Sequence, residues 1–145
     1  MIELREYREP KRDELLSLYE SVGWISYTAR PGMLEAACRA SLCALGAFDG
    51  ERLVGLVRAV GDGASVLYVQ DLLVRPEYQR RGVGGALLRE LLARWPNVYQ
   101  AVLLTDDAPQ TAAFYAACGF HPAEGMGCRA FLRVRGANDE ERKRL

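Results

Sequence analysis

Residues Asp71 to Leu88, D-L-L-V-R-P-E-Y-Q-R-R-G-V-G-G-A-L-L, join an apolar strand to an amphipathic helix through a loop carrying Gly82, Gly84 and Gly85. No Ser, Thr, Asp or Asn stands at the junction, although these residues are the preferred helix N-caps. The first backbone N–H groups of the helix therefore need a partner from elsewhere. An anion suits them, because the exposed donors and the positive end of the helix dipole point the same way. Arg80 and Arg81 add charge at the mouth of the loop. The segment reads as an anion cradle between a strand and a helix.

The strand that feeds the loop, Ser65 to Val74, is apolar on both faces and should lie at the centre of a sheet covered on both sides. Before it, Ile2 to Arg8 alternates as a strand, and Asp13 to Val22 places Leu15, Leu16, Leu18, Tyr19 and Val22 at helical spacing. Gly23 to Thr28 breaks that pattern, and Pro31-Gly32 opens a second short helix. Ala44 to Phe48 and Leu53 to Val60 flank Asp49-Gly50, a hairpin signature, and Gly61-Asp62-Gly63 turns the chain again.

After the loop, Val83, Leu87, Leu88, Leu91, Leu92 and Trp95 form one stripe opposite Arg89, Glu90 and Arg94. Val98 to Thr105 should then be a strand parallel to the central one. A helix over about 108–118 follows, with Asp107 as its cap and Gly119 as its left-handed exit, and Cys128 to Arg135 should close as a last strand. The expected architecture is α/β (α+β): a mixed, largely antiparallel sheet of about seven strands with helices on both faces. It is expected to form one domain over residues 1–135, with a charged tail at 136–145.

The 145 residues carry 19 basic and 19 acidic side chains, so the net charge is zero. A general nucleic-acid binder would carry a basic excess. A local patch of Arg75, Arg80, Arg81, Arg89 and Arg94 remains compatible with that balance. Cys38, Cys43, Cys118 and Cys128 form no C-x-x-C pair and His121 is the only histidine, so no metal is expected. The sequence begins without an apolar signal core and has no run long enough to span a bilayer; no membrane association and a cytoplasmic location are the expectations.

Two nucleotide-binding motifs fail on residues. A phosphate-binding loop of the Walker type needs Lys and then Ser or Thr after its last glycine, and Ala86 and Leu87 follow Gly85. A dinucleotide fingerprint needs a small residue where Leu87 stands. What fits is Gln79-Arg80-Arg81-Gly82-Val83-Gly84 after a strand ending Val74-Arg75-Pro76, together with Ala112-Ala113-Phe114-Tyr115-Ala116-Ala117-Cys118-Gly119-Phe120 downstream. In these two motifs, in this order, the chain resembles the GNAT superfamily of N-acetyltransferases over about residues 2–135.

The resemblance implies acetyl-CoA as the donor. Backbone amides from Arg81 through Gly82, Val83, Gly84 and Gly85 would hold its pyrophosphate, with Gln79 and Arg80 at the loop entry. Main-chain groups of Leu72, Leu73 and Val74 would pair with the pantetheine arm like an added strand, and the Leu73 N–H is the implied oxyanion donor. Tyr115 would be the general acid for the departing thiolate, or else would only pack against the cofactor. Gln70 and Asp71 are the polar residues of the central strand, and alternation sends them to opposite faces unless a bulge intervenes. Asp71 is then either a base or ammonium anchor, or the holder of a structural hydrogen bond.

Trp24, Tyr27 and Gln70 are the acceptor-side candidates, with ordinary packing as the alternative for the two aromatic residues. The family often carries Asn and Ala where this chain has Ala108 and Thr111, so a side-chain amide for the cofactor arm is missing. The expected function is transfer of an acetyl group to a primary amine of a small molecule by direct attack in a ternary complex. A protein or peptide N-acetyltransferase and a catalytically silent acyl-CoA sensor are the alternatives. Dimers are common for this fold, which makes a homodimer an expectation by analogy alone.

Overall fold

A computed structural model describes residues 1–135, so the expected charged tail at 136–145 lies outside the described residues. The chain divides into two compact units, Met1–Leu104 and the segment from Thr105 onward. The first unit holds a five-stranded sheet in the order β1-β2-β3-β4-β5. Its strands are β1 (Ile2–Glu6), β2 (Cys43–Asp49), β3 (Arg52–Gly61), β4 (Val66–Val74) and β5 (Gln100–Leu103). The first four pair antiparallel, and β5 runs parallel to β4.

The hairpin between β2 and β3 falls at Asp49-Gly50, where Asp49 pairs with Arg52 and Gly50 takes φ +60°. In the next turn the Asp62 carboxylate accepts the N–H groups of Ala64, Ser65 and Val66 and the Ser65 hydroxyl. These bonds, the hydroxyl first, hold the Asp62 carboxyl well below its ordinary range. Gly61 sits at φ +136°, and a Cβ there would meet the Val66 carbonyl oxygen at 2.4 Å. That turn admits glycine alone.

Helices cover both faces. The helix α1 (Arg12–Ser21) has no side-chain N-cap at Lys11, a loss of about 1 kcal/mol. Burial of Leu15, Leu18 and Tyr19 outweighs it, at roughly 1.5–3 kcal/mol for each large apolar side chain. Beyond the short α2 (Ile25–Thr28), α3 (Pro31–Ala40) adds Leu34 and Cys38 to the same core, which also takes Ala44, Leu56 and Leu73 from the sheet. Gly55, one residue before Leu56 and so on the opposite face, turns toward α4 (Val83–Arg94), where a Cβ would lie 3.2 Å from Leu87. The α4 stripe buries Val83, Leu87, Leu88 and Leu91, as its spacing requires, and Gly85 with them.

The second unit holds α5 (Pro109–Ala117) and a short 3-10 turn at Ala123–Met126. The N-cap position of α5 is Ala108, whose N–H goes to the Asp106 carboxylate at 3.0 Å, so Asp107 is not the cap. Gly119 is the left-handed exit, at φ +91°. Five strands rather than about seven occur among the described residues. Cys128 to Arg135 forms none, and Phe131 and Leu132 in it are 90% and 63% exposed. Alternation alone does not make a strand: the ladder partner does, and residues 128–135 have none among the described residues.

Candidate active site

The register of β3 and β4 shifts between Arg58, which pairs with Asp71, and Ala59, which pairs with Val69. Gln70 is therefore the extra residue of a β-bulge. The expectation that Gln70 and Asp71 point to opposite faces fails for this reason. Both reach one atom: the Tyr27 hydroxyl lies 3.0 Å from Gln70 Nε2 and 3.1 Å from Asp71 Oδ1.

Asp71 is buried, with 2% of its side chain exposed, directly across from Arg58. Its Oδ2 accepts from Arg58 Nε at 3.0 Å and Nη2 at 2.9 Å, and from the Tyr19 hydroxyl at 2.8 Å. Arg58 Nη1 reaches the Ser41 hydroxyl at 3.4 Å, which in turn donates to the Ala37 carbonyl. Burial opposes the Arg58 charge, but the Asp71 carboxylate overcomes it, and the guanidinium lies above its ordinary value.

Sequence reasoning missed Arg58 and Tyr19. A lone arginine inside the apolar run L-V-G-L-V-R-A-V was the available signal, because a charge in a central strand needs a partner across the ladder.

Tyr19, Trp24 and Tyr27 form one aromatic cluster beside this network. Ring centroids lie 5.2 Å apart for Tyr19 and Tyr27, 5.8 Å for Tyr19 and Trp24, and 6.3 Å for Trp24 and Tyr27. The segment expected as an irregular connection contains α2, which carries Tyr27. Trp24 and Tyr27 are half-buried against the core, while Gln70 is exposed.

Along its second half the edge of β4 that faces β5 has no strand partner among the described residues, because the β5 ladder covers only Val66–Val69. Arg75 donates its N–H to the Val54 carbonyl of β3 at 2.8 Å. Strand alternation therefore turns the Leu73 N–H toward β3 as well, and the Leu72 and Val74 N–H groups toward the open edge. The Leu73 carbonyl agrees, lying beside Gly55 of β3. Leu73 is thus misplaced as oxyanion donor, and Leu72 and Val74 hold the accessible main-chain groups. Gln79 Nε2 donates to the Val74 carbonyl at 2.9 Å and ties the loop to the strand.

After the 3-10 turn Pro76–Tyr78, Arg80 takes φ +63° and Gly82 φ +79°. A left-handed arginine is uncommon, and such strain gathers at functional sites. Gly82 occupies the N-cap position of α4 with no side-chain cap. The first intrahelical hydrogen bond runs from Ala86 N–H to the Gly82 carbonyl, which leaves the N–H groups of Val83, Gly84 and Gly85 ahead of it. A Cβ on Gly82 would meet nothing within 4 Å. The start of α4 thus carries no side-chain cap, as the absence of Ser, Thr, Asp and Asn at the junction led one to expect.

The arginines that the charge balance left open as a local patch do not share one surface. Arg75 is buried and holds the Leu53 carbonyl and the Ser17 hydroxyl. Arg94 pairs with Glu6 and Glu90. Arg81 lies over the Tyr78 ring at 5.2 Å, and Arg80 is exposed.

In the second unit, Tyr115 stacks edge-on with Phe114 and with Phe120 at 5.0 and 6.0 Å. Burial, then the neighbouring Cys118 and Asp106, pushes its phenol up to about 12. Among the described residues its hydroxyl has no hydrogen-bond partner. No group of three His, Cys, Asp or Glu among the described residues could hold a metal ion, and no helix among them is long and apolar enough to cross a membrane.

Tyr7, Tyr19 and Tyr27 are also held above the ordinary phenol value, each chiefly by burial. In the unfolded chain these tyrosines release protons near pH ~10, whereas the folded chain retains them. Stability should therefore be insensitive to them below about pH 9 and fall as pH rises past about 10. Melting temperature and phenolate absorbance followed together should show this; phenolate from all seven tyrosines before any loss of Tm would contradict it.

A mixed sheet with one parallel edge strand, a strand edge without a partner beyond Val69 among the described residues and an uncapped glycine loop make an α/β arrangement suited to an extended chain along the edge and an anion at the loop. A sequence model of the acetyltransferase (GNAT) domain matches residues 41–122. A GNAT family acetyltransferase from Streptococcus pneumoniae TIGR4 is 36% identical, with a TM-score of 0.84 over 94% of this chain and 100% of that one. The chain belongs to the GNAT acetyltransferase family.

The PaiA N-acetyltransferase from Thermoplasma acidophilum, in a structure with coenzyme A, shares the fold at 19% identity, with a TM-score of 0.69 over 83% of this chain and 90% of that one. An uncharacterized N-acetyltransferase of Porphyra purpurea is 24% identical over 111 residues, 74% of this chain. The chain spans 63% of that relative's length, and 32% of the length of a Gibberella zeae relative that it matches at 40% identity over 57 residues.

Proposed function

We propose that the chain transfers the acetyl group of acetyl-CoA to a primary amine of a small molecule by direct attack in a ternary complex. The observation that carries this reading is the continuity of two features within one unit. The open Leu72 and Val74 edge leads directly into a glycine loop whose three leading amides, at Val83, Gly84 and Gly85, lie ahead of the first intrahelical bond. An extended pantetheine arm suits the first feature and a pyrophosphate the second. The PaiA relative, which shares this fold, was solved with coenzyme A, and this supports the same donor here.

In this reading the amine nitrogen attacks the thioester carbonyl, the N–C bond forms and the C–S bond breaks. The nitrogen loses a proton to water, and the departing thiolate takes one from Tyr115, which solvent restores. The Leu72 N–H is the proposed donor to the developing oxyanion, because it shares the open edge. Asp71 acts as a positioning residue rather than a base. Its buried carboxylate accepts from Arg58, Tyr19 and Tyr27, and Tyr27 in turn meets Gln70.

Thiol release from acetyl-CoA, followed across a panel of amines, tests the proposal. Amine-dependent release with formation of the N-acetyl product is expected. Release that does not depend on any amine, or none at all, would contradict it.

A further inference from the structure

The hydrogen-bond directions around Tyr27 are fixed by counting protons. Arg58 is a permanent cation and a donor only, and Asp71 paired with it is an acceptor only. The Tyr27 hydroxyl therefore spends its single proton on Asp71 Oδ1. Its oxygen must accept from Gln70, so the Gln70 amide turns its NH2 toward Tyr27 and its carbonyl away. Among the described residues Gln70 Oε1 has no partner, and the side chain is exposed at the bulge beside the open edge of β4. The outcome is an oriented, uncharged hydrogen-bond acceptor.

The electrostatics beside it are also neutral. The leading charges on Tyr27 are one carboxylate, Asp71, and one guanidinium, Arg58, and they are joined to each other. An ammonium group would find no unpaired negative charge in this network. A neutral amine would find a carbonyl for its N–H and the rings of Trp24 and Tyr27 for its body.

We propose that Gln70 Oε1 receives the N–H of the acceptor, and that the acceptor is a weakly basic aromatic amine bound in its uncharged form. This rests on the reading that the chain acetylates amines at the β4 edge. An alkylamine with a pKa near that of lysine is uncharged in roughly one molecule in a few thousand at pH 7, whereas an arylamine is neutral throughout.

The test compares arylamines with aralkylamines of matched ring and size, in wild type, Gln70→Ala and Gln70→Glu, by thiol release and product analysis. Gln70 is exposed, and each substitution removes only its bond to the Tyr27 hydroxyl, which keeps its bond to Asp71. Wild type should favour the arylamine in kcat/KM by about tenfold or more. Gln70→Ala should raise the arylamine KM about 3- to 10-fold, with the KM for acetyl-CoA unchanged. Gln70→Glu should move the selectivity ratio at least about tenfold toward the cationic aralkylamine.

A wild-type preference for the cation, or a ratio that neither substitution changes, overturns the inference and leaves the acetyltransferase reading standing. Failure of every amine to support turnover, with acetyl-CoA bound, overturns both.

Discussion

Replacing Arg58 by Met is expected to lower the stability of the fold by about 3–5 kcal/mol, the usual cost of leaving a buried charge without its partner. The side chains of Arg58 and Asp71 are 6% and 2% exposed, so water cannot take the place of the missing guanidinium. Methionine keeps much of the volume, which makes the loss electrostatic rather than a packing defect. For a chain of this length the change corresponds to a fall in Tm of about 10 °C or more. Combining Arg58→Met with Asp71→Leu should restore part of it, because the double substitution removes the orphaned carboxylate. A melting curve for Arg58→Met within a degree of wild type would show that Asp71 does not depend on Arg58. The positioning role given to Asp71 would then lose its basis.

Tyr115→Phe is expected to reduce kcat by about 10²-fold, the lower end of the range for a general acid. A phenol pushed up to about 12 by burial is a weak donor. Passing its proton to an alkyl thiolate of pKa about 8.5 costs roughly 5 kcal/mol. The same shift keeps the hydroxyl protonated at every pH where the enzyme would be assayed, so the rate profile should show no limb from Tyr115 below about pH 11. The ring contacts with Phe114 and Phe120 survive in the variant, and acetyl-CoA affinity should change little. Unchanged kcat would remove Tyr115 from the chemistry.

Features with a local cause were legible in the sequence. The Asp49-Gly50 hairpin, the stripe of α4, the left-handed exit at Gly119 and the uncapped start at Gly82 each follow from residues close together in the chain. Features set by a distant partner were not. The bulge at Gln70 appears only in the register between β3 and β4, and it reverses the expectation that Gln70 and Asp71 part company.

Arg58 and Tyr19 looked like strand and core residues until the ladder placed Arg58 across from Asp71 and α1 laid Tyr19 over both. The strand expected at 128–135 failed for the same reason, since its alternation was visible and its lack of a ladder partner was not. The oxyanion donor moved from Leu73 to its neighbour Leu72 because one backbone bond, Arg75 to Val54, sets the phase of the strand.

The central claim is that the Leu72–Val74 edge and the loop through Gly85 hold acetyl-CoA. Thermal shift and titration calorimetry with acetyl-CoA, with ATP and NAD as controls, test it most directly. At 100 times its Kd a ligand that binds only the folded state adds about 2.7 kcal/mol of stability. Acetyl-CoA should therefore raise Tm by roughly 5–10 °C, with one site per chain in the calorimeter and little effect from ATP or NAD. No shift with millimolar acetyl-CoA, or an equal shift with ATP, would contradict the account.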